Sequence, residues 1–95
     1  MPAARKRGTP KTAQHRALPR FRRVAASLAQ RVRELRAARR WTQEVAAERI
    51  GVEPAQIRRI ESARANPSLA VLVSVAAAFG LAVSELLVGA KQDSG

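Results

Sequence analysis

The 95-residue chain has no cysteine, no tyrosine, one methionine and one histidine. Without thiols it has neither disulfides nor thiolate zinc sites. The lone His15 stands in a polar stretch with no second ligand beside it, and reads as a bystander. Aromatic residues are scarce, namely Phe21, Trp41 and Phe79. Few platforms are therefore available for stacking single-stranded bases. No paired carboxylates, nucleophile–base set or phosphate-cradling loop is visible, so the chain does not read as an enzyme, and neither cofactor, metal nor small-molecule ligand is expected. Acids are also few, seven against eighteen lysines and arginines.

What is present is positive charge, unevenly spread. Residues 1–23 hold eight cations and no acid. Residues 24–65 set nine arginines against five glutamates, and residues 66–95 set Lys91 against Glu85 and Asp93. The cationic surface is thus confined to the first two thirds, as suits a protein that neutralises phosphates and releases their counterions. The N-terminus lacks the apolar run of a secretory signal. Residues 65–84 carry no charge, yet Asn66-Pro67-Ser68 opens the stretch with a helix-start signal and Gly80 interrupts it. Its apolar core falls short of the roughly 18 residues of a membrane span. No membrane association is expected, and the location implied is cytoplasmic.

The expected organisation is a disordered basic arm over 1–18, one helical domain over 19–89 and a tail over 90–95. The arm has almost no large apolar side chain, and Pro19 suits the first turn of a helix. Phe21, Val24, Leu28, Val32 and Leu35 then recur at helical spacing, predicting a helix to Arg40. Thr42 caps a second helix with Glu44 in its first turn, and Gly51 stops it. Pro54 opens a third helix with Ile57 and Ile60 inward, ending near Ser62. A fourth runs from Leu69 to Phe79 before Gly80, and Ser84 is the expected cap of a short fifth, through Leu87 or Val88. The fold class is all-α, a compact five-helix bundle.

Within it, Gln43, Ala47, Gly51, Ile57 and Ile60 have the spacing of two helices that cross steeply through a tight turn. A small residue is needed at the crossing, a residue tolerant of positive φ in the turn, and branched anchors on the second helix. This is the pattern of a helix-turn-helix.

From Leu28 to Leu87 the sequence resembles the lambda-repressor-like family, also called the XRE or Cro/C1 type. The resemblance rests on Leu28-x3-Val32-Arg33-x-Leu35-Arg36, Trp41-Thr42-Gln43-Glu44, Gly51-Val52, Ile57-x2-Ile60-Glu61 and Asn66-Pro67-Ser68. Leu72, Ala76, Phe79 and Ser84-Glu85-Leu86-Leu87 continue it. It implies a DNA-binding transcriptional regulator, a repressor in many relatives, of a bacterium or phage and located at the nucleoid, with helix 54–62 in the major groove of double-stranded DNA. Gln56 and Arg59 are then the candidates for base readout, Arg59 bidentate to guanine and Gln56 to adenine, with Ala55 offering a methyl contact. Thr42 and Gln43 would bind a phosphate at the start of helix 2, and Arg58 and Arg64 would reach the backbone. Arg36 and Glu61 fall where family members pair to tie helix 1 to the recognition helix. Trp41 reads as an anchor between helices rather than a base-stacking platform.

Two departures stand out. Glu53, Pro54 and Ala55 thin the polar contacts at the front of the third helix. Ser62-Ala63 replaces the family's glycine after that helix, at a cost of about 1 kcal/mol if the site needs positive φ.

Helix 69–79 is apolar almost all round. With Leu69, Leu72, Val73, Ala76 and Phe79 assigned to the core, Val71, Val75 and Ala78 are left over. Together with Leu81, Val83, Leu87 and Val88 they form the expected homodimer interface. A dimer would read a palindromic operator. The alternative function is an antitoxin-like protein-interaction module that also binds its own promoter.

Overall fold

A computed structural model describes residues 18–87 of the chain. All but the last residue of the expected arm, Val88 of the expected dimer interface, and the tail over 90–95 lie outside the described residues. Five helices follow one another without a strand among the described residues: α1 (Pro19–Ala38), α2 (Gln43–Ile50), α3 (Pro54–Glu61), α4 (Leu69–Ala78) and α5 (Val83–Leu86).

The helix starts follow from local chemistry. Pro19 and Pro54 occupy the first helical positions of α1 and α3, where the missing N–H is not needed. Thr42 Oγ1 accepts from Val45 N at 3.0 Å, and Ser68 Oγ accepts from Val71 N at 3.1 Å, capping α2 and α4. The cap of α5 differs from expectation. Ala82, not Ser84, is the cap residue, and Glu85 Oε1 reaches back to accept from Ala82 N at 2.8 Å. A glutamate at the third helical position does this job from inside the helix, so α5 needs no serine at its boundary.

The four longer helices end alike. Each is followed by a residue in the left-handed region: Arg40 (φ 58°), Gly51 (φ 91°), Ala63 (φ 62°) and Gly80 (φ 72°). The next residue's N–H returns to a carbonyl of the last turn, Trp41 to Arg36, Val52 to Ala47, Arg64 to Arg59 and Leu81 to Ala76. This hydrogen-bonded reversal satisfies carbonyls that the helix leaves orphaned. It also stops α1 at Ala38, two residues before the expected end.

Helix α3 packs against both α1 and α2, α4 lies against α2 and α5, and α5 returns to α1. Ile57, Ile60, Leu86, Val32 and Val75 are the largest side chains fully removed from solvent at the centre. The register of α4 departs from expectation. Val75 is 1% exposed and belongs to the core, whereas Leu69 (71%) and Val73 (50%) face solvent. Leu72, Val75, Ala76 and Phe79 make the inward stripe, and Val71 and Ala78 are half-buried against it. Both assignments satisfy helical spacing, and α4 has no charged residue to break the tie. Of the residues assigned to a dimer interface, Val75 is therefore unavailable. Leu81, Val83 and Leu87 are half-buried, packed on the core.

The left-handed conformation of Ala63 costs roughly 1–2 kcal/mol, of which glycine would return part. Ala63→Gly is expected to stabilise the chain by about 0.5–1 kcal/mol, raising Tm by several degrees in thermal unfolding.

Candidate nucleic-acid interface

Helix α3 is eight residues long, too short to be stable alone in water. Its order comes from one side. Ile57 and Ile60 are inserted into the core, and Glu61 is 6% exposed, the one charged residue buried among those described.

A buried carboxylate is costly unless its oxygens are occupied. Arg36 supplies two bonds, Nε to Oε2 at 2.7 Å and Nη2 to Oε1 at 3.1 Å. Gln43 Nε2 donates to the same Oε1 at 3.0 Å. Arg33 Nη1 donates to the Glu61 backbone carbonyl, and Arg36 Nη1 to the carbonyl of Trp41 at 2.9 Å. One carboxylate thus joins α1, α2 and α3. The Arg36 pKa is raised, chiefly by the hydrogen bond to Glu61, with the charges of Glu61 and Glu44 adding and partial burial opposing.

The opposite side of α3 is the exposed one. Ala55, Arg58 and Arg59 face solvent and Gln56 is half-buried. Arg59 Nη2 donates to Gln56 Oε1 at 3.0 Å, so the two candidate readers are joined to each other. Between them and the first turn of α4 lies an open groove lined by Val52, Glu53, Ala55, Gln56, Arg59 and Val71.

Around this helix the other candidates are dispersed. Thr42 is exposed with its hydroxyl oxygen engaged as a cap. Gln43 is half-buried and directed to Glu61, so a phosphate contact would require it to leave that carboxylate. Arg64 is exposed in the turn that leaves α3. Trp41 stacks on Phe79 with centroids 5.4 Å apart, under the guanidinium groups of Arg39 and Arg49. Arg39 Nη2 also donates to the Phe79 carbonyl at 3.0 Å, which ties the end of α1 to the end of α4. Trp41 is an anchor between helices in this arrangement.

Sequence reasoning did not single out Arg33, Arg39 or Arg49, because arginines of a basic chain carry no mark of which ones are used internally. The groove residues Val52 and Val71 come from different helices' ends, and only the fold brings them together. Among the described residues there is no group of side chains suited to holding a metal ion, and no helix long and apolar enough to cross a membrane.

A helix-turn-helix domain model matches residues 27–87, well over half of the chain. The chain belongs to the helix-turn-helix domain family. Solved structures agree with this membership. A hypothetical transcription factor from Neisseria, NHTF, is 33% identical with a TM-score of 0.66, over 74% of this chain and 80% of that one. The restriction-modification controller protein C.AhdI from Aeromonas hydrophila is 31% identical with a TM-score of 0.62, over 65% of this chain and 94% of that one. The clp gene regulator ClgR from Corynebacterium glutamicum is 28% identical with a TM-score of 0.66, over 74% of each chain. A comparison with curated proteins finds no match. The helix-turn-helix of this chain is α2 and α3, with Gly51 in the turn, and its fold and resemblance to the lambda-repressor-like type coincide over the same residues.

Truncating Glu61 would leave Arg36 and Gln43 short of an acceptor at once, while Arg33 keeps the backbone carbonyl. Glu61→Ala is expected to cost about 2–3 kcal/mol in denaturant unfolding, below the full value for a buried pair because Arg36 retains some solvent access.

Proposed function

We propose that this chain is a sequence-specific regulator of transcription that sets α3 in the major groove of double-stranded DNA. The observation that carries the reading is the two-sidedness of α3. Its inner side is fixed by Ile57, Ile60 and Glu61, and its outer side presents Ala55, Gln56, Arg58 and Arg59. A reading helix needs both, since base contacts specify only when the scaffold fixes their position. Arg58 on α3 and Arg64 in the turn that leaves it would serve as phosphate ligands, and Thr42 and Gln43 sit at the N-terminus of α2, whose N–H groups favour an anion. The similar structures described as a transcription factor, a restriction-modification controller and a gene regulator support the same assignment.

The operator we infer is a palindrome bound by a homodimer. Self-association would run through the solvent face of α4, where Leu69 and Val73 stand one turn apart with Ala77 continuing the stripe. This replaces the Val75-centred face expected from the sequence. A single eight-residue helix reads only a few base pairs, and a two-fold pair doubles the site with half-sites roughly 34 Å apart.

Selection of bound fragments from genomic DNA at near-physiological salt tests the reading. The expected result is a shared palindrome, relaxed by Arg59→Ala at one position per half-site, at a cost of about 1–3 kcal/mol. Uniform retention that disappears with salt would instead mean that phosphate attraction dominates. Val73→Glu is expected to give monomers in sedimentation equilibrium and to abolish cooperative filling of the two half-sites, with the helical circular dichroism of the monomer retained because Val73 is exposed within it.

A further inference from the structure

The hydrogen bond between the two readers changes what they are able to read. Resting on the proposed function, the geometry points to a thymine in the base pair adjacent to the guanine read by Arg59, held by Gln56 and by the apolar groove beside it.

A glutamine reads adenine by accepting from the N6 amino group while donating to N7. Here Gln56 Oε1 already accepts from Arg59 Nη2 at 3.0 Å. That bond takes one of the two lone pairs of Oε1 and turns the carbonyl toward Arg59, which leaves the amide NH2 as the group best placed to meet a base edge. Arg59 is a donor only, and its guanidinium keeps four of five N–H groups after serving Gln56. The pair therefore presents these donors side by side. Guanine answers Arg59 with O6 and N7, and the neighbouring base must also offer an acceptor.

The groove decides which acceptor. Val52, Ala55 and Val71 supply apolar surface next to the Gln56 amide and the Arg59 side chain. Thymine alone among the bases combines a major-groove acceptor, O4, with an adjacent methyl group. A cytosine would set its N4 donor against the Gln56 donor. Glu53, on the rim of the same groove, is an acceptor. The partner strands of T·A and G·C pairs both turn amino groups, adenine N6 and cytosine N4, into the major groove. Its carboxylate is thus compatible with either pair while disfavouring a phosphate in the groove. Ala55, which looks like a loss of a polar contact in the sequence, becomes part of the wall of a methyl site.

The full chain is tested on its selected operator, at the base pair beside the guanine that Arg59→Ala releases. Replacing thymine by uracil removes only the methyl group and is expected to weaken binding about three- to fourfold. Replacing it by 5-methylcytosine, paired with guanine, keeps the methyl but exchanges acceptor for donor, and is expected to cost about tenfold or more. Gln56→Glu leaves one carboxylate oxygen for Arg59 and turns the other outward as an acceptor, so this variant should prefer 5-methylcytosine to thymine. Gln56 is surface-facing, so that variant folds. An operator with adenine, or any base but thymine, in the strand position read by Gln56 would overturn the assignment and leave the regulator reading standing. Equal binding of thymine and uracil would do the same. Failure to enrich any specific site would overturn both.

Discussion

The carboxylate of Glu61 is the joint on which the arrangement turns. It is buried, yet its two oxygens receive Arg36 from α1 and Gln43 from α2, while Arg33 takes the carbonyl of the same residue. Such a pair contributes little net stability compared with apolar residues of the same shape, because desolvation offsets most of the attraction. Its value lies in direction. Apolar contacts at Ile57 and Ile60 hold α3 against the core but tolerate small rotations about its axis. A bidentate pair with a third donor on one oxygen does not. The angle at which Gln56 and Arg59 leave the surface is set by a residue that faces the other way.

The chain reversals show where the fold was legible and where it was not. All four longer helices end in the same left-handed turn, but glycine marks only two of them, at Gly51 and Gly80. The helix end expected at Gly51 was right, and the one expected at Phe79 falls one residue earlier, at Ala78. Arg40 and Ala63 adopt the same conformation without the residue that makes it easy, so α1 was read two residues too long. At Ala63 the missing glycine was recognised only through the family resemblance. The apolar residues that follow the turns, Trp41, Val52 and Leu81, pack on the core and compensate. Arg64 after Ala63 is exposed and has no such packing. Ala63 is thus the left-handed residue with the least compensation from the residue that follows it.

For the surface, legibility depended on contrast. On α3 polar and apolar residues alternate at helical spacing, so Ile57 and Ile60 inward and Gln56 and Arg59 outward could be read directly. On α4 every residue but Ser74 is apolar, and periodicity has almost nothing to act on. The inward stripe was placed correctly at Leu72, Ala76 and Phe79 but was given Leu69 and Val73 in place of Val75. The bonds that Gln43 and Gln56 make were also hidden, because a glutamine's partner is a matter of what the fold brings within reach. Those bonds alter the chemistry of both residues. They were legible as positions and illegible as donors and acceptors.

These constraints together account for the division of labour along the chain. A helix of two turns has no stability of its own to spend on presenting side chains to a ligand. It must be held along one side so completely that the other side carries no structural duty. Positions 57, 60 and 61 meet that requirement in α3, and positions 55, 56, 58 and 59 are released by it. The release is what lets Pro54 and Ala55 stand at the front of the helix without harm to the fold. It also lets Arg59 bond to Gln56, a contact the core does not need. A side-chain bond between two exposed residues is worth little to stability. Its consequence is for recognition, because it engages the carbonyl of Gln56 and leaves the amide NH2 beside the N–H groups of Arg59.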